Sequence, residues 1–336
     1  MKKVLFIMAL CFTSFTFSQT TGDYIIEGNV KADLKDYQGA LADYTKAIEL
    51  NPYCIDAYVF RGVVKMFLKD YQGALADNSK AIELDPKCTE AYNNRGASNL
   101  FLNDYREAIV NYSKVIELNP NDSNTYKLRG AAKVFLKDYQ DAILDYSKSI
   151  ELNPNDSDTY NNRGFAKFFL KEYNGSIADC SKAIEINPNN SAAYKNRGHA
   201  KVELQEYQGA IVDNSKAIEL DPTYSEAYVF RAFAKVGLQD YRGAIADYSK
   251  AIELNPNDNQ SYNNRGLAKN KLKDYREALV DYSKAIELNP SFSSAYLNRG
   301  IAKFALKQKE EACLDFSKAG ELGYAGAYEM IKEHCN

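Results

Sequence analysis

The stretch SNTYKLRGAAKVFLKDYQDAILDYSKSIELNPND, residues 123–156, is one copy of a recurring unit. Its Pro154 belongs to a series that takes in every proline of the chain: Pro52, Pro86, Pro120, Pro154, Pro188, Pro222, Pro256 and Pro290, each 34 residues after the last. A fixed period of this length marks stacked units that each contact mainly their neighbours. It overrides the two-domain expectation that 336 residues would otherwise raise. With proline at position 32, units begin at residues 21, 55, 89, 123, 157, 191, 225, 259 and 293, and residues 327–336 are left over.

Each unit holds two helical patterns. In the first, positions 4, 7, 8, 11 and 14 share one face and 2, 6, 9 and 13 another, as a 3.6-residue period requires. The second runs from the tyrosine of "KDY" to the leucine of "IELNP", with apolar or small residues at 20, 21, 24, 27, 28 and 30. Asp70, Asp104, Asp138 and Glu172 precede that tyrosine and suit a helix N-terminus. Asn-Pro closes the second helix, and Ser123, Ser157, Ser191 and Ser225 start the next first helix.

Tyr126, Gly130, Ala142, Tyr146, Ser149 and Pro154, with their counterparts along the chain, resemble the tetratricopeptide repeat pattern, particularly that of exported bacterial members. The resemblance implies an all-α, right-handed α-solenoid of about nine helical hairpins, spanning residues 19–326, with a concave groove lined by first helices. Departures are local: Glu27 stands at position 7 of an irregular first unit, and Ala232 replaces glycine in the seventh. The ninth lacks the proline, and "AYEMIKEHCN" then reads as a C-terminal capping helix, residues 327–336.

Composition excludes several classes. The net charge of −3 is no footprint for nucleic acid, and no basic cluster occurs. "MKKVLFIMALCFTSFTFSQ" has two lysines, an apolar run and small residues at Thr16 and Ser18, so residues 1–18 read as a signal peptide. Thr13, Ser14 and Thr16 interrupt the run before it could span a bilayer, and no later segment is long and apolar enough to insert. The expectation is an exported protein: periplasmic, surface-held or secreted.

Catalysis finds little support. The two histidines are His199, on the groove face, and His334, which with Cys335 lacks further metal ligands. No glycine-rich phosphate loop, metal set, cofactor motif or small-molecule substrate site is evident. Cys54 and Cys88 lie one repeat apart, about 10 Å, too far to bridge. Cys180 takes a buried hairpin position, while Cys313 and Cys335 occupy the last second helix and the cap, and a disulfide between them is expected.

Arginine fills position 7 in eight consecutive units, lysine usually fills 11 and aspartate 23. The third unit has Asn99 and Asn111 instead, losing cation and anion together. That covariation implies an ionic contact within the hairpin, such as Lys133 with Asp145, and a structural role for the arginines.

The groove face leaves two candidate rows. Asn94, Asn162, Asn196, Asn264 and Asn298 recur at position 6, where an amide could pair with a peptide backbone of any sequence. Phe60, Leu128 and Phe230 interrupt the row. It resembles the asparagine ladder in the tetratricopeptide domain of O-linked N-acetylglucosamine transferase. Phe67, Phe101, Phe135 and Phe169 form an apolar row at position 13. It serves either partner binding or inter-repeat packing. Position 9 holds no asparagine in units two to nine, which argues against the family's carboxylate clamp. The leading expectation is a non-enzymatic scaffold holding an extended peptide or partner segment in the groove. The alternative is an envelope-assembly component binding through convex or end surfaces.

Overall fold

The computed structural model describes residues 19–335, so the expected signal peptide lies outside the described residues. These residues form nineteen helices and no strand. They fall into two compact units divided after Leu136. The first contains α1 (Thr21–Asp33), α2 (Tyr37–Leu50), α3 (Ile55–Phe67), α4 (Tyr71–Leu84), α5 (Thr89–Phe101), α6 (Tyr105–Leu118) and α7 (Ser123–Phe135). The second opens with α8 (Tyr139–Leu152), α9 (Ser157–Phe169), α10 (Tyr173–Ile186), α11 (Ser191–Glu203) and α12 (Tyr207–Leu220). It continues through α13 (Ser225–Gly237), α14 (Tyr241–Leu254), α15 (Asn259–Lys271) and α16 (Tyr275–Leu288) to α17 (Ser293–Ala305), α18 (Lys309–Glu321) and α19 (Ala327–His334). Within each unit, neighbouring helices pack as consecutive hairpins. Despite Glu27, α1 has the full 13 residues and a Thr20–Asp23 capping box, which corrects the expected irregularity.

The tight turn between α3 and α4 combines two end devices. After α3, the Lys69 N–H bonds to the Met66 carbonyl and the Asp70 N–H to the Lys65 carbonyl, a Schellman closure. Lys69 sits at φ 62°, and the equivalent residue of all nine repeats is also left-handed without being glycine. Asp70 then caps α4 by accepting from the Gly73 N–H at 2.9 Å. Asp104 does the same for Glu107, but Asp138 and Glu172 make no side-chain cap bond. Between repeats, Ser123 and Ser157 are the first helical residues, and the capping acceptors are Asp122 and Asp156 just before them.

Helices within a hairpin touch at position 8. A Cβ on Gly96 would lie 2.8 Å from the Tyr112 ring, and one on Gly164 would lie 2.9 Å from the Cys180 sulfur. A larger residue there requires the facing side chain or its helix to shift. Ala232 departs from this rule and packs in a buried cluster with Ala244 and Tyr248. Cys180 is fully buried, and burial pushes its thiol up to about 12, so it is an inert packing group. At the C-terminal end, Cys313 and Cys335 are bonded, with Cα atoms 5.8 Å apart, fastening α19 onto α18. Cys54 and Cys88 are free thiols.

Candidate functional site

The arginine row belongs to the frame. Arg61 donates from Nε and Nη2 to both Asp77 oxygens, at 2.9 and 2.6 Å, and Lys65 closes on the same carboxylate at 2.8 Å. The same triad recurs around Asp179, Asp213, Asp247, Asp281 and Asp315. In the third repeat the arginine remains, and Arg95 Nε donates to Asn111 Oδ1 at 2.7 Å. Each guanidinium also reaches back one repeat: Arg61 Nη1 donates to Thr45, and Arg197 Nη1 to Ser181. It lies over the tyrosine of its own first helix as well, as Arg61 does over Tyr58. With carboxylate, hydroxyl and ring engaged, these cations hold repeats together.

The asparagine row is partly turned inward. Asn196 is buried, and its Nδ2 donates to Asn161 Oδ1 of the preceding repeat at 2.8 Å. Asn298 likewise donates to Asn263 at 2.9 Å. These two amides link repeats, so one N–H of each is committed to a neighbouring repeat and only the second is left for a peptide backbone. Asn94, Asn162 and Asn264 are half-buried, and Asn264 Oδ1 accepts from Asn263. The row is therefore no uniform ladder.

The phenylalanine row is both packed and exposed. Phe67, Phe101 and Phe135 are 62%, 60% and 61% exposed, and Phe169 is 47% exposed. Each lies parallel to the tyrosine opening the second helix of the preceding repeat: Tyr37, Tyr71, Tyr105 and Tyr139, with centroids 4.7 to 4.9 Å apart. Sequence reasoning missed this partner, although tyrosine at position 17 in eight of nine repeats was a visible signal. Where position 13 is Gly237, the Tyr207 ring comes against the backbone instead. Packing holds one side of the Phe67, Phe101 and Phe135 rings and leaves the rest to solvent, whereas Phe169 also meets Phe165 and Phe168.

Each unit has a pocket on its first-helix face. In the first unit, about 570 Å3 opens among Ala32, Tyr37, Phe60, Val63 and Phe67. In the second, about 260 Å3 is enclosed by Phe165, Phe168 and Phe169 of α9, Lys195, Asn196 and His199 of α11, and Glu226 and Phe230 of α13. His199 is sandwiched there, 3.8 Å from the Phe230 centroid and 4.1 Å from that of Phe168. Burial and then the Lys195 charge lower its pKa to about 4, so the imidazole is neutral near pH 7. Lys195 is itself buried, paired with Glu226 at 3.1 Å and lying over the Tyr224 ring. Among the described residues there is no group of three or more potential metal ligands, and no helix is long and apolar enough to cross a membrane.

The chain matches two family profiles described as "Tetratricopeptide repeat". One covers residues 89–122, 157–190 and 260–292, and the other 24–54, 55–88 and 124–156. A "TPR repeat" profile adds residues 234–273. No curated protein matches significantly. Among solved structures, a tetratricopeptide repeat protein from Parabacteroides merdae is similar at TM-score 0.58 and 22% identity, over 74% of this chain and 99% of that one. The anaphase-promoting complex structure Cut9–Hcn1 is similar at TM-score 0.62 and 14% identity, over 94% of this chain and 76% of that one. At those identities the likeness speaks for the fold alone. With the profiles repeating in phase with the prolines and the helices, the chain belongs to the tetratricopeptide repeat family.

Proposed function

We propose that this protein is a non-enzymatic scaffold that holds a peptide or an extended partner segment on the face of its first helices. The family supports a protein-interaction role. The observation that carries the finer reading is the half-covered phenylalanine row: Phe67, Phe101 and Phe135 leave most of their apolar surface to solvent on a rigidly supported face. Exposed, preorganised aromatic surface of this kind is where partners bind. Asn94, Asn162 and Asn264 supply further polar contacts, with Asn196 and Asn298 each left one N–H and a carbonyl oxygen after their inter-repeat bonds.

A second reading, binding through the opposite surfaces in envelope assembly, is favoured by exposed Val110, Val212, Val280 and Leu314 on the second helices. Site-directed photo-crosslinking in native cells separates the two. A crosslinker at Phe101 yields a discrete partner adduct under the first reading, and one at Val110 yields it under the second. We also place the mature protein outside the cytoplasm. The composition of residues 1–18 supports this, as does the Cys313–Cys335 bond, a type that persists in oxidising compartments.

A further inference from the structure

The second unit's pocket is more closely specified than an apolar groove. Its walls are phenyl rings: Phe165 and Phe169 meet edge to face at 4.9 Å, and Phe168 meets Phe169 the same way at 5.6 Å. Its two charged lining groups, Lys195 and Glu226, are paired with each other, so the interior offers no free cation for a carboxylate. His199 is held in the aromatic stack by both faces, which leaves its ring edge as the functional surface. Among the described residues, neither ring nitrogen has a hydrogen-bond partner. A neutral imidazole presents one N–H donor and one bare acceptor nitrogen. The space, about 260 Å3, exceeds the roughly 150 Å3 cavity that accommodates a benzene ring. Such a setting suits a flat, uncharged, aromatic guest with a single polar tip.

We infer that this pocket is the anchor site for a tyrosine side chain of the bound partner segment, its ring among Phe165, Phe168, Phe169 and Phe230 and its hydroxyl paired with His199. The inference rests on the scaffold reading above and names the chemistry that the second unit selects. An aliphatic side chain would forgo the ring-on-ring contacts, and a phenylalanine would leave the imidazole edge buried and unpaired. An acidic side chain would have to displace Glu226 from Lys195.

The test uses the full chain and four small probes: N-acetyl-tyrosinamide, N-acetyl-phenylalaninamide, N-acetyl-leucinamide and N-acetyl-aspartate amide. Only His199 and His334 contribute imidazole signals, so NMR of histidine-labelled protein reads the pocket directly. The tyrosine amide should give saturable shifts of the His199 resonances in the millimolar range expected of so small a ligand. The phenylalanine amide should bind about fivefold more weakly, the effect of one hydrogen bond, and the leucine amide more weakly still. His199→Phe preserves the stacked ring and removes the polar edge, so it should abolish the tyrosine-over-phenylalanine preference while aromatic binding persists. That binding is followed in the variant through backbone amide shifts of α11 and α13. Equal affinity for tyrosine and phenylalanine amides, a leucine preference, tighter binding of N-acetyl-aspartate amide, or no saturable shift with any probe would each overturn the assignment. None of these outcomes touches the crosslinking result at Phe101, which lies in the other unit and decides the scaffold reading separately.

Discussion

Arg197 and Asp213 are joined by two parallel hydrogen bonds, Nε to Oδ2 at 3.0 Å and Nη2 to Oδ1 at 2.6 Å, and Lys201 shares the same carboxylate at 2.8 Å. The carboxylate is almost wholly buried and the two cations mostly so. Removing the anion alone leaves two uncompensated charges. Asp213→Ala should therefore cost about 3 kcal/mol or more in urea unfolding. The third repeat shows the tolerated exchange, with Asn99 and Asn111 in place of cation and anion and the arginine bonded to the amide. The double variant Lys201→Asn/Asp213→Asn should accordingly lose less than Asp213→Ala, with a coupling of roughly 1 kcal/mol or more between its two changes.

The left-handed turn residues give a prediction of opposite sign. Lys69 and Lys273 adopt φ of 62° and 66°, a conformation that costs a residue with a side chain roughly 1 kcal/mol relative to glycine. Lys69→Gly and Lys273→Gly should each raise stability by about 0.5 kcal/mol after the extra unfolded-state freedom of glycine is subtracted. Asn103→Gly should gain less, because asparagine tolerates this region.

His199 sets an acid-sensitive window. Its folded pKa near 4 lies below the ordinary value of 6.5, so between those values the unfolded chain binds more protons than the folded one. Stability should fall as pH drops from about 6.5 towards 4. His199→Phe should flatten that part of the profile. Thermal melting of both proteins across the window checks the sign, and a slope unchanged by the substitution would contradict the depressed pKa.

The Cys313–Cys335 bond closes a 22-residue separation. Chain-entropy reasoning assigns a loop of that size about 3 kcal/mol. In a solenoid whose repeats contact mainly their neighbours, the effect should be local. Reduction should speed amide hydrogen exchange in α18 and α19 by at least tenfold and leave α9 to α14 unchanged.

The 34-residue proline period carried the fold, because periodicity in sequence maps directly onto helical hairpins. The hairpin ion triads were legible through one coordinated exception, Asn99 with Asn111. Contacts between repeats were harder to read. Phe67 meets Tyr37 across a 30-residue offset that matches no helical period, and Asn196 meets Asn161 across 35. The pocket around His199 was hidden for a related reason: Phe168, His199 and Phe230 occupy positions 12, 9 and 6 of successive repeats, a diagonal that stacking creates. Covariation within one unit shows on the page, whereas a diagonal needs the packing angle.

The central claim is that the exposed phenylalanines of the first unit hold the partner, and one comparison tests it most directly. Phe101→Ser/Phe135→Ser should retain native helicity and melting within a few degrees, since each ring is stacked on one side only. The variant should lose the partner adduct formed by the otherwise unaltered protein carrying a crosslinker at Phe67. An adduct of undiminished yield from this folded variant would contradict the account.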